Sequence, residues 1–140
     1  MTEFVKIFNK TVEKHMVCLH HETEPGKYTV MLTESDAFFE GYDTWIKHSQ
    51  GGNIFTLEMH PRNANLVLLG EQDPSKPNGS AVAWAAELNI ASPIELIYNA
   101  RDESIVTNAG SVSQHLTSIQ NGPYVYFTGT STDRWEIQYL

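Results

Sequence analysis

Apolar and polar residues alternate over short stretches of this chain, and no segment sustains the three-to-four-residue spacing of an amphipathic helix. Val82, Trp84, Ala86 and Leu88 fall on one face of an extended segment, and runs such as Tyr28-Thr29-Val30-Met31-Leu32 are rich in strand-forming side chains. This pattern predicts strands near 4–9, 16–21, 27–33, 44–48, 53–59, 65–70, 81–88, 93–99, 104–108, 115–119, 123–128 and 134–139, twelve in all. Between them lie residues that supply restricted or positive φ, as in Glu24-Pro25-Gly26, Gly51-Gly52-Asn53, Asp73-Pro74 through Asn78-Gly79, and Asn121-Gly122-Pro123. Residues 34–39 could hold a helical turn. The expectation is an all-β chain read as one domain over 1–140.

Twelve strands divide into three groups of four, and a weak internal repetition supports that division. A tryptophan-bearing strand recurs as Asp43-Thr44-Trp45-Ile46-Lys47, Val82-Ala83-Trp84-Ala85 and Asp133-Arg134-Trp135-Glu136-Ile137. The first and third place an aspartate two positions before the indole. Phe4-Val5-Lys6-Ile7-Phe8-Asn9 also resembles Gly52-Asn53-Ile54-Phe55-Thr56-Leu57-Glu58. On these residues the chain resembles the β-trefoil proteins, in which six strands form a short barrel and six cap it as hairpins. The Asp-x-Trp elements look like altered forms of the Gln-x-Trp signature of ricin-B-like lectins, with Asp in place of Gln. Together with Gly52-Asn53-Ile54-Phe55-Thr56-Leu57 and a loop carrying Asn63 and Asn65, they resemble small cytoplasmic fungal trefoils, both lectins and the mycocypin protease inhibitors. The resemblance implies a β-trefoil with its indoles in the core; an antiparallel β-sandwich is the alternative.

Composition narrows the class of partner. The 140 residues carry a net charge of −8, with nine Lys and Arg scattered among seventeen Asp and Glu. Such a surface repels phosphate backbones and anionic headgroups, so nucleic acid is not an expected partner. No stretch approaches the roughly 20 apolar residues of a membrane span, and the first residues lack the basic start and apolar run of a secretory signal, which predicts a cytoplasmic protein without membrane insertion. The one cysteine, Cys18, cannot form an internal disulfide and sits in the apolar run Met16-Val17-Cys18-Leu19, as a buried small hydrophobe would. Asn9-Lys10-Thr11 and Asn78-Gly79-Ser80 match the glycosylation pattern but would stay bare in the cytoplasm.

Motifs for catalysis are missing: there is no Gly-x-Ser-x-Gly, no His-Glu-x-x-His and no glycine-rich phosphate loop. The pair His20-His21 would point to opposite faces of a strand, so neither a metal nor another cofactor is expected. Binding has more support. Sites for neutral sugars set an aromatic face against the ring and hydrogen-bond its hydroxyls through carboxylates and amides. Asp36, Phe39, Tyr42 and Asp43 form one such mixture, and Asn121, Tyr124 and Tyr126 a second, with Tyr124 and Tyr126 on one strand face and Val125 and Phe127 on the other. The leading expectation is a carbohydrate-binding lectin with glycans or glycoproteins as partners, no metal, and a homodimer left open. The alternative is a cysteine- or serine-protease inhibitor presenting the loop His60-Pro61-Arg62-Asn63-Ala64-Asn65, with Arg62, Asn63 and Asn65 as its contacts.

Overall fold

Short apolar alternations form strands when one face can be buried, and each of the twelve predicted segments does so in the computed structural model of the chain. The structure describes residues 2–24, 27–33, 43–59, 66–72, 81–87, 94–107, 114–118, 125–129 and 131–140. In chain order the strands are β1 (Thr2–Asn9), β2 (Lys14–Glu24), β3 (Lys27–Thr33), β4 (Thr44–Gly51), β5 (Ile54–Met59) and β6 (Leu66–Gln72). They continue with β7 (Ala81–Glu87), β8 (Leu96–Asn99), β9 (Ser104–Thr107), β10 (Gln114–Ser118), β11 (Val125–Thr128) and β12 (Trp135–Tyr139).

All twelve belong to one antiparallel sheet, ordered β11-β10-β9-β8-β5-β4-β1-β2-β3-β7-β6, with β12 beside β1 and further pairings of β11 with β7 and β5 with β6. This replaces the sandwich alternative, which needs two separate sheets. It also corrects the β-trefoil expectation, which requires three like units around a closed six-strand barrel, with matching ladders β1–β4, β5–β8 and β9–β12. The β1–β4 ladder runs from Thr2↔His48 to Lys6↔Thr44, whereas β5 and β8 share only Ile54↔Ile97 and Phe55↔Leu96. Among the described residues no ladder joins β9 to β12; the two meet through a Trp135 N–H donating to the Glu103 carbonyl at 2.7 Å. The four-residue β9 already has β8 and β10 as its partners, and β12 is paired along its length with β1, from Asn9↔Trp135 to Val5↔Tyr139. The sheet is therefore open along the β9/β12 seam.

The core lies on the inward face of this curved sheet. Val5, Ile7 and Asn9 of β1 are wholly buried while Phe4, Lys6 and Phe8 between them are not, the two-residue period of a strand with one covered face. Trp45, Phe55, Leu57, Leu96, Ile105, Phe127 and Trp135 complete the same cluster. Fully burying side chains of this size contributes roughly 1.5–3 kcal/mol each, so these positions dominate the stability of the sheet.

The two tryptophans at the starts of β4 and β12 are held alike. Trp45 Nε1 donates to the Met16 carbonyl and Trp135 Nε1 to the Leu116 carbonyl, both at 3.0 Å, so each indole closes over a strand reached earlier in the chain. Burial without such a partner would cost the indole N–H its hydrogen bonds to water. Trp84 lies in β7 opposite Thr29 and Leu69, and its side chain is outside the described residues.

A candidate ligand cleft

Asp43 and Tyr126 are the two predicted lectin residues that fall among the described positions. Asp43 is almost wholly buried, and its Oδ2 lies 3.2 Å from Lys6 Nζ. That oxygen has no aligned hydrogen bond among the described residues, so charge alone holds the pair. Asp133, its counterpart before Trp135, is fully engaged: Oδ2 accepts from Asn9 Nδ2 at 2.9 Å and from the Ser118 N–H and hydroxyl, both at 2.7 Å. Both carboxylates brace the core. Tyr126 stands half-buried on β11 opposite Thr117 and Val82, with Val125 and Phe127 fully buried on the other face, the alternation expected from the sequence. Asp36, Phe39, Tyr42, Asn121 and Tyr124 lie outside the described residues, as do Arg62, Asn63 and Asn65 of the expected inhibitory loop.

A half-open cleft of about 470 Å³ forms elsewhere, where the β4–β5 hairpin tip meets β8 and the end of β12. The tip turns through Gly51 and Gly52, with φ of 104° and 59°. These values favour glycine and set Asn53 at the rim. The β5–β8 ladder brings Ile97, Tyr98 and Asn99 alongside. Across the cleft Tyr139, 56% exposed, presents an aromatic ring. Tyr98 is fixed by its hydroxyl, which donates to the Trp135 carbonyl at 2.9 Å; burial and the Glu103 carboxylate raise its pKa and keep the phenol a neutral donor.

The polar groups of this cleft are few and differ in role. The Asn99 side-chain oxygen accepts from the Arg101 N–H at 3.1 Å, which orients its amide. The side chains of Asn53 and Ser49 make no hydrogen bond among the described residues and line the cleft. Lys47 is the cation of the lining: its ammonium lies 5.3 Å from the ring centroids of both Phe55 and Tyr139 and 3.6 Å from Glu3 Oε1. Such placement over two aromatic faces is attractive and restrains the long side chain.

Sequence reasoning passed over these residues, although Gly51-Gly52-Asn53 had marked the turn that forms one wall. Other polar features serve the fold. Lys10 Nζ donates to Glu103 Oε2 at 2.8 Å, and Arg134 Nη2 lies 3.0 Å from Glu103 Oε1, a clasp across the β9/β12 seam. Its mutual effect is to raise the Lys10 pKa and lower that of Glu103. Asn9, within the Asn-Lys-Thr pattern, is wholly buried, with its amide nitrogen bonded to Asp133, so it is closed to a glycosylating enzyme. No group of three or more His, Cys, Asp or Glu able to hold a metal ion occurs among the described residues. No described helix is long and apolar enough to cross a membrane.

No family model matches the chain, and no curated protein sequence matches it. Among solved structures it is similar to a salivary protein of the mosquito Culex quinquefasciatus that belongs to the Cysteins and Tryptophan-Rich (CWRC) family. The TM-score is 0.70 at 13% identity, covering 100% of this chain and 94% of that one. At this identity the likeness establishes the all-β fold alone. It replaces the resemblance to small fungal lectins and mycocypins, which rested on tryptophan and turn patterns that many β-sheets share.

Proposed function

We propose that this chain is a carbohydrate-binding protein that holds a saccharide, without metal, in the cleft between the β4–β5 tip, β8 and β12. The observation that carries the reading is the union of the exposed Tyr139 ring with Asn53, Asn99 and Ser49 in one concavity. A flat aromatic face suits the apolar side of a pyranose, and amide and hydroxyl groups suit its hydroxyls. The volume lies within the roughly 300–1,000 Å³ usual for small-molecule sites. The walls come from ladder-paired strands, so little ordering is required on binding. The buried single thiol is compatible with the cytoplasmic setting expected from the sequence.

A glycan array followed by calorimetry on the best-binding sugar tests the proposal. Tyr139→Ala should weaken that binding about tenfold, the loss of one aromatic contact worth about 1.4 kcal/mol. Val12→Ala, on the exposed 10–13 turn, should leave it unchanged. Failure of any glycan to bind at millimolar concentration, or full affinity in Tyr139→Ala, removes the cleft from consideration.

A further inference from the structure

We infer that Lys47 makes the cleft selective for acidic saccharides, those carrying a carboxylate or sulfate on the ring, over their neutral counterparts. The inference rests on the saccharide reading above and adds the substrate class. Lys47 is the cationic side chain among the residues lining the cleft, and its own side chain is only 14% exposed, so its charge is largely screened from bulk water. The rings of Phe55 and Tyr139, each 5.3 Å from the ammonium, hold it there.

Its one ion-pair partner among the described residues is loosely engaged. Glu3 Oε1 stands at 3.6 Å, well beyond the roughly 2.7–2.9 Å of a charge-assisted hydrogen bond, and the Glu3 side chain is 36% exposed. A ligand carboxylate or sulfate can therefore take the close position on the ammonium while Glu3 turns outward into water. Tyr139 contributes to both halves of this arrangement, since its ring contacts the ammonium and also borders the space where the sugar would stack. The net charge of −8 opposes anions at long range, so any preference for them must come from direct contact with Lys47.

Calorimetry on the full chain with methyl glucoside, methyl glucuronide and methyl glucoside 6-sulfate tests this, because the three probes differ only at C6. The glucuronide, the sulfate or both should bind about tenfold tighter than the neutral sugar, the worth of one charge-assisted contact. Which of the two is preferred identifies the anion. Lys47→Gln should bring all three to equal affinity, Lys47→Arg should keep the preference, and Glu3→Gln should enlarge it. Equal binding of the three by the unaltered chain, or a preference that survives Lys47→Gln, overturns the inference and leaves a neutral-sugar site standing. Failure of all three to bind, with the glycan array also blank, overturns the saccharide reading itself.

Discussion

At the scale of single residues, stability concentrates in a few buried side chains with satisfied polar atoms. Trp135 is wholly buried and donates to Leu116, so Trp135→Ala removes both a large volume and a hydrogen bond. It should cost at least ~3 kcal/mol in urea unfolding. Trp135→Phe keeps most of the ring and removes only the indole's hydrogen bond to the Leu116 carbonyl, so its cost should be smaller, at about 1–2 kcal/mol. An alanine variant losing under ~0.5 kcal/mol would show that the indole does not hold the core. Cys18 sets a different kind of limit. Burial pushes its thiol up to about 12 from 9.0, so the folded chain retains a proton that the unfolded chain releases. Its contribution is intact below pH 9 and declines as pH rises from there toward 12, by about 1.4 kcal/mol per unit. The denaturant midpoint should therefore fall more steeply over that window in the native sequence than in Cys18→Ala; parallel curves would count against a buried thiol.

At the scale of elements, the strand positions were legible because a covered face imposes a period of two. The buried Val5, Ile7 and Asn9 of β1 and Val125 and Phe127 of β11 show that period in the structure. Partners were not legible. The same alternation serves any neighbour, and what separates the observed sheet from a trefoil is which edges of the short β9 are taken. The turns reveal a device that the sequence hid. Asn9 accepts from the Thr11 and Val12 N–H groups ahead of Glu13, and Asn99 accepts from the Arg101 N–H ahead of Glu103; the two glutamates have φ of 59° and 60°. A side chain at this φ costs about 1–2 kcal/mol, part of which glycine recovers after its larger entropy loss on folding. Glu13 is exposed, so Glu13→Gly should stabilise the chain by about 0.5–1 kcal/mol in chemical denaturation. Glu103→Gly should gain less, since it also gives up Lys10 and Arg134. An equal gain at both sites would mean that the clasp contributes nothing.

At the scale of the whole molecule, the cleft shows why the candidate site escaped a linear reading. Its residues come from 47–55, 97–106 and 137–139, and each group looks like an ordinary strand end or turn in its own neighbourhood. The sequence search favoured aromatics and amides crowded within ten residues, and Asp43, found that way, serves to balance Lys6. Burial of Trp45 and Trp135 was expected from the recurring Asp-x-Trp element and not from their flanks, since Arg134 and Glu136 beside Trp135 are charged. Convergence of Tyr139 on Asn53 depends on β12 crossing to β1, a pairing between the opposite ends of the described chain.

That same crossing governs the order in which the fold can be assembled during synthesis. β1 sits in the middle of the sheet with β4 and β2 available early, yet its pairing with β12 waits until residues 135–139 leave the ribosome. At roughly 5–20 residues per second this leaves β1 incompletely paired for on the order of ten seconds. During that interval the nascent chain exposes backbone and apolar surface that the folded sheet hides, so the arrival of β12 decides when this sheet becomes safe from aggregation.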